Sequence, residues 1–418
     1  MSEKEISETG FAATPQWLDE EFLEKVLKYH EKCEEIKITE LKVNPASILN
    51  NLASIIFKID VSYEIKNHSK VHSNFILKTI PEEKDIKLDF QKYNTAFPTE
   101  MFIYEKILPK MHELLRAKND DTVFAPEFIY CTDTPVPMII LKDLSFDGFC
   151  SPMNLLEIDA TKVVTEKLSK FHACSMFLHE NGTPIDSLTE SFVKPTHGKD
   201  SFTEVWIKPG LELAISYFKK WEGCQNIAEK LIKSEKTIIE RFTQIYVDPS
   251  KGPYNILNHG DFHHGNLMQR NGGVLPQDLL LIDFQFSFFG TPAVDFIYML
   301  YLMTSQKVRK NHRNEIMELY FEKFVATLKL LDFKGKIPTF TEFENELKRC
   351  RLMELVLLLC FGAYFYVNWE DKSTKTVVEA AQEKNLYAPT IPIWENNEEW
   401  KEYVTKSVEE MINKGFLD

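Results

Sequence analysis

The chain has no surplus of positive charge: its 418 residues carry 49 Lys and Arg against 63 Asp and Glu, a formal net charge of -14. A field of that sign repels nucleic-acid phosphates and anionic lipid, so a general grip on either is excluded and only a local basic pocket is left. It also lacks a CxxC pair. Its seven cysteines are an odd number, which suits reduced, buried thiols in a cytoplasmic protein better than a disulfide framework. Long apolar runs are missing. LMELVLLLCFGAYFYV, from residue 352, is interrupted by Glu354 and stops short of the roughly 20 residues that cross a bilayer, so it is expected as a buried helix. The opening MSEKEISETG is polar and acidic, without the basic and apolar regions of a secretory signal. The N-x-S/T matches at Asn67 and Asn181 therefore carry no expectation of glycosylation. Neither an internal repeat nor a biased tract stands out.

With 44% hydrophobic and 27% charged residues, the chain has an ordinary globular composition, and its length exceeds what one core usually supports. Two lobes are expected, in an α+β fold. After a helical opening, PQWLDEEFLEKVLKYHEKC, two β-type stretches follow, ASIIFKIDVSYEI and HSNFILKTI, joined by the turn KNHS. A helix over TEMFIYEKILPKMHELLRAK, kinked or divided at Pro109, and the strand PVPMIILK complete a small β-rich lobe over 1–140. From 141 to 418 the pattern is mainly helical, with segments near 160–180, 203–245, 310–332 and 341–368. These are interrupted by a block at 258–290, where NLMQ and LLLIDFQF flank the turn signal RNGGVLPQD. That turn predicts a hairpin.

The block opens with NHGDFHHGNLM. Folding the hairpin brings Asn266, at the start of its first strand, close to Asp283, at the end of its second, with Asp261 on the loop before. An asparagine and an aspartate supply the hard oxygen ligands that Mg²⁺ accepts beside a nucleotide. The remaining carboxylate, Asp261, can orient a hydroxyl and take its proton, and phosphoryl transfer needs little beyond such positioning and charge neutralisation. A cation for the phosphates is expected from the small lobe. Lys78 lies mid-strand in NFILKTI, on the face opposite Phe75 and Leu77. Glu100 shares a helical stripe with Tyr104, Ile107 and Met111, where an unpaired carboxylate would be costly. Each answers the other's need for a partner.

The order Lys78, Glu100, HGDFHHGN, IDFQ resembles the protein-kinase-like superfamily in its aminoglycoside phosphotransferase and choline kinase branch, and within it the ecdysteroid kinase-like family. The likeness runs from about residue 15 to 370. It implies a two-lobed kinase-like fold, ATP and Mg²⁺ as cofactors, and a small-molecule alcohol as acceptor, an ecdysteroid or other steroid among the candidates. On that pattern Asp261 is the catalytic base, Asn266 and Asp283 hold magnesium, Lys78 contacts the α- and β-phosphates and Glu100 anchors it. Ser54 lies in the loop over the phosphates and Lys142 in the adenine-facing hinge. Only eleven residues separate Asp283 from Asp295, too few for a segment that docks a peptide, so a small acceptor fits better than a protein. The monomer is the default oligomeric state. The helical stretch from about 180 to 250 offers aromatic residues either to an apolar acceptor or to plain core.

Other readings stand beside this one. The loop NPASILNNLAS has no glycine, where a phosphate-covering loop gains from one, which is the basis for an alternative: a catalytically weak pseudokinase or small-molecule carrier. His259, His263 and His264 are spaced as zinc ligands can be, while His259 also fits a packing role that steadies the loop. His172 fits a satisfied internal histidine. Asp295 is expected as a carboxylate that anchors a loop.

Overall fold

The computed structural model describes residues 14–45, 54–66, 69–80, 96–152, 154–188, 201–247, 252–270, 278–371 and 373–418. Most of the phosphate-covering stretch expected at 44–54 and the tips of both expected hairpins lie outside the described residues.

The small lobe is a five-stranded antiparallel sheet, β1 (Ile36–Pro45), β2 (Ile55–Ile65), β3 (Ser69–Thr79), β4 (Phe128–Thr132) and β5 (Met138–Lys142), in the order β1-β2-β3-β5-β4. Alternation divides its side chains. Phe57, Ile59, Val61, Phe75, Leu77, Met138 and Ile140 form one core with Leu23, Val26 and Leu27 of α1 (Glu20–Glu31). Ile139 and Leu141, one residue out of phase on β5, belong instead to the main core of the molecule. The hairpin pairing of β2 with β3 runs from Ile55 opposite Thr79 to Ile65 opposite Ser69. It places Lys78 on the face that looks away from α1.

Facing Lys78 is a helical rod of three parts: α2 (Ala96–Phe102), a π-helical turn (Ile103–Ile107) and α3 (Leu108–Arg116). Pro109 was expected to kink or divide this helix, and the division takes the form of the wide turn, closed by the Leu108 N–H on the Ile103 carbonyl. Widening the turn relieves the clash between a proline ring and the carbonyl four residues back. The same device recurs at Thr203–Ile207, immediately before Pro209 in α5 (Lys208–Lys220).

The larger lobe is helical, built on α4 (Ile158–Glu180), which packs along α9 (Arg313–Leu330). Between them in sequence lie α5, α6 (Gln225–Val247), α7 (Ala293–Leu302) and α8 (Gln306–Asn311). The single helix expected over 203–245 is broken at Trp221–Cys224, where Gly223 adopts φ +81°. Beyond α9 come α10 (Phe340–Arg349) and α11 (Leu352–Phe361). As expected, α11 is buried, and its Glu354 is satisfied by Arg313 at 2.6 Å and by the Tyr301 hydroxyl at 2.8 Å. Three helices that the apolar pattern did not bring out close the chain: α12 (Val377–Gln382), α13 (Ile391–Asn396) and α14 (Glu398–Asn413). The described aromatic residues of the 180–250 stretch prove to be core: Phe218 and Trp221, for example, pack on Trp394, with ring centroids 6.2 and 5.6 Å away.

Two further small sheets carry residues of the 258–290 block. β6 (Phe149–Cys150), β8 (Leu267–Arg270) and β9 (Leu279–Leu281) form one, and β7 (Ile256–Asn258) with β10 (Phe288–Gly290) forms the other. The expected hairpin is β8 with β9, in which Leu267 faces Leu281. All seven cysteines are free thiols. Among the described residues no helix is long and apolar enough to cross a membrane.

Candidate active site

The loop between β7 and β8 is held from below by Asp295. Its carboxylate accepts the backbone N–H groups of His259 at 2.6 Å and Gly260 at 3.0 Å, and His172 donates to it from Nε2 at 3.1 Å. The Tyr320 hydroxyl meets the other nitrogen of His172 at 2.7 Å, and burial lowers the imidazole pKa, so the ring is neutral. Asp295 and His172 are fully buried and fully partnered, which matches the anchoring and internal roles expected of them. His259 donates to the Ile282 carbonyl at 2.9 Å, tying the loop to the end of β9. Gly260 has φ +83°, and a Cβ there would stand 2.0 Å from the Phe286 carbonyl oxygen, so only glycine fits.

Asp261 emerges from this support with its side chain 24% exposed. Asn266 gives its amide N–H groups to the Asp261 carbonyl at 2.9 Å and to Asp261 Oδ2 at 3.2 Å. Burial pushes the Asp261 carboxyl up, but the neighbouring His263 charge and the hydrogen bonds from His263 and Asn266 outweigh it, and the carboxyl titrates below its ordinary value. His263 lies 3.5 Å from Asp261 Oδ2 through Nε2, while its Nδ1 accepts the Gly265 N–H at 3.1 Å.

Asp283 stands at the other end of the hairpin. The Ile282 N–H donates to the Asn266 carbonyl at 3.1 Å, so the residues before and after the two strands are neighbours. Asp283 itself is left-handed (φ 67°, ψ 61°), a conformation that costs a non-glycine residue free energy and turns its side chain out of the strand line. There it meets Lys78. The ammonium lies 2.6 Å from Asp283 Oδ1 and 2.7 Å from Glu100 Oε2. Burial pulls the Lys78 pKa down, yet the two carboxylates raise it overall, so the amine is charged. Burial raises the Glu100 carboxyl, against the pull of Lys78. Phe284, next in the chain, donates its N–H to Glu100, and its ring packs between Tyr104 at 5.4 Å and His259 at 4.7 Å. The helical rod, the metal-ligand candidate and the Asp261 loop are thus one connected unit.

The donor set fits a magnesium ion. Asn266 spends its N–H groups on Asp261, which leaves the amide oxygen as its ligand end, and Asp283 presents a partly exposed carboxylate. The charges of Asp261, Asp283 and Glu100 exceed that of Lys78. Oxygen donors with surplus negative charge and no thiolate or imidazole among them suit a hard divalent cation. The zinc reading is not supported. His259 gives Nε2 to Ile282, His264 packs on Phe365 at 5.3 Å, and among the described residues no group of three or more His, Cys, Asp or Glu is arranged to hold a metal.

Two candidates stand apart from this cluster. Ser54 is buried at the foot of β2, next to the undescribed stretch. Lys142 ends β5 with its ammonium 2.7 Å from Asp147 and its N–H on the Glu127 carbonyl at 3.0 Å, so its side chain is not directed at the Lys78 group. One neighbour of the site was overlooked in the sequence: Gln285, within the quoted IDFQ, donates to Asp283 Oδ2 at 3.3 Å.

A small sheet beside a helical lobe, with a lysine–glutamate pair from the first meeting the HGDxxxxN and IDFQ segments of the second, defines a kinase-like protein. The chain belongs to the ecdysteroid kinase-like family, whose model matches residues 49–333. No curated protein matches it. Among solved structures it is similar to the GDP complex of wild-type aminoglycoside 2′-phosphotransferase IIIa, with 10% identity over 93% of this chain and 97% of the other and a TM-score of 0.39. It is also similar to a microcompartment-associated aminopropanol kinase, at 14% identity, 93% and 99% coverage and a TM-score of 0.39. A third is the macrolide 2′-phosphotransferase from Brachybacterium faecium, at 10% identity, 81% and 92% coverage and a TM-score of 0.36.

Proposed function

We propose that this protein transfers the γ-phosphate of ATP to a hydroxyl of a small molecule. The observation that carries the reading is the single cluster made by Lys78, Glu100, Asp261, Asn266 and Asp283, which come from four separate segments of the chain. In this reading Lys78 holds the α- and β-phosphates and Glu100 keeps the lysine in place. Asn266 and Asp283 hold Mg²⁺, which when bound neutralises charge on the phosphates. Asp261 orients the acceptor hydroxyl and takes its proton, a role suited to a carboxylate that stays ionised at neutral pH. Ser54 and the backbone around Lys142 complete the nucleotide contacts from the small lobe. The family's description makes steroid alcohols, ecdysteroids among them, the first acceptor class to try. We place the protein in the cytoplasm, acting as a monomer.

Thermal unfolding with and without Mg-ATP tests this. Ligand at 100 times its dissociation constant adds about 2.7 kcal/mol, a rise on the order of a few degrees for a chain of this size. The rise is expected to be larger with magnesium than in EDTA, and its magnesium-dependent part is expected to vanish in Asp283→Ala. No rise at millimolar Mg-ATP overturns the nucleotide site and favours a carrier without phosphate transfer.

A further inference from the structure

Asp283 has two oxygens, and the structure gives them different partners. Oδ1 is held by Lys78 at 2.6 Å, and Oδ2 accepts from Gln285 Nε2 at 3.3 Å. The amide must present its NH₂ end here, since its oxygen would repel the carboxylate. Gln285 is 8% exposed, so water competes poorly for this donor. Its main chain is fixed as well. The 3-10 turn Phe284–Phe286 is pressed onto Gly260 through the Phe286 carbonyl, and Ser287, just after it, donates through Oγ to the His259 carbonyl at 3.2 Å. With the backbone after Asp283 held by these contacts, rotation of its carboxylate is the freedom that Gln285 restrains. That rotation sets which oxygen faces the Lys78 ammonium and where the second oxygen is left for a cation.

Resting on the phosphotransferase reading above, we propose that Gln285 is a positioning residue that holds Asp283 Oδ2 apart from Lys78 and keeps it available to the divalent cation. A neutral amide suits the task. It donates to the carboxylate without adding charge of either sign, so it neither neutralises the metal ligand nor competes with the cation. Partners of this kind, which orient a ligand without touching the ion, typically govern metal affinity by 10- to 100-fold.

The test uses the full chain and three proteins: wild type, Gln285→Met, which keeps length and loses the donor, and Gln285→Leu, which is shorter, uncharged and likewise has no donor. Thermal unfolding is followed with ADP present while Mg²⁺ is titrated, and again with ADP in EDTA. The expected result for Gln285→Met is a wild-type unfolding temperature without ligand, wild-type stabilisation by ADP in EDTA, and a Mg²⁺ midpoint raised about 10-fold. Should the methionine variant unfold early without ligand, Gln285→Leu takes its place under the same criterion. A Mg²⁺ midpoint within twofold of wild type overturns the role of Gln285 while leaving the nucleotide site intact. A wild-type protein that gives no magnesium-dependent response overturns the phosphotransferase reading, and this inference with it.

Discussion

The ammonium of Lys78, on the third strand of the small sheet, lies 2.6 Å from the carboxylate of Asp283, 205 residues further along the chain. This ion pair, with Glu100 as its second carboxylate, bridges the sheet, the helical rod and the hairpin end. Its consequences for stability and activity differ and can be separated.

Lys78→Met leaves Glu100, 1% exposed, without its cation. Removing one partner of a buried pair costs about 3–5 kcal/mol, and protonation of Glu100 offsets part of that. The expected loss in denaturant unfolding is about 3 kcal/mol, and the double variant Lys78→Met, Glu100→Leu is expected to recover most of it, because the carboxylate then left without Lys78 is Asp283, whose side chain is 29% exposed and reachable by water. A double variant no more stable than the single one contradicts this account.

Asp295→Ala removes the acceptor for two backbone N–H groups at once. With His259 and Gly260 left unpaired in a dry interior, a loss of about 3 kcal/mol is expected. Asp261→Asn, by contrast, is expected to unfold within about 1 kcal/mol of wild type, since its side chain is reachable by water. It is expected to keep Mg-nucleotide binding and to lose phosphate transfer by at least about 100-fold. Transfer at the wild-type rate in Asp261→Asn rules out its role as the base.

Lys167 provides a pH test away from the site. Its amine donates to the Val123 carbonyl and is 2% exposed, and burial, with Lys170 nearby, lowers its pKa to about 7. Between about 7 and the ordinary lysine value the unfolded chain is protonated and the folded one is not, so the unfolded state binds more protons and stability rises with pH. Below that window both states carry the charge, and the folded state bears the full cost of burying it. Lys167→Met is therefore expected to raise the unfolding temperature more at pH 6 than at pH 9. Equal gains at the two values would mean that the amine is not neutral in the folded protein.

His112 works in the same direction at lower pH. It accepts the Phe124 N–H at 3.0 Å, and burial lowers its pKa to about 4. Below the ordinary histidine value the unfolded chain takes up a proton that the folded one refuses, so stability falls as pH drops toward 4. His112→Gln, which can still accept that N–H, is expected to flatten this acid limb of the stability curve without shifting its neutral plateau by more than about 1 kcal/mol.

The sequence by itself determined the strand alternation that turns Lys78 away from Phe75 and Leu77, the hairpin that returns Asp283 toward Asn266, and the helical stripe that carries Glu100. These are short-range periodicities, set by backbone geometry and readable from neighbouring residues. It also placed Asp295 and His172 among structural groups, because buried polar residues must find partners. Only the tertiary structure decided how the partners were shared. That Lys78 serves two carboxylates, that Gln285 steadies one of them, that Lys142 turns to Asp147 and that the aromatic residues near 218–221 close a core with Trp394 all depend on contacts between segments far apart in the chain. Such contacts follow from packing in three dimensions, where each group goes to whichever neighbour best offsets its loss of water, and no local pattern of residues records that choice.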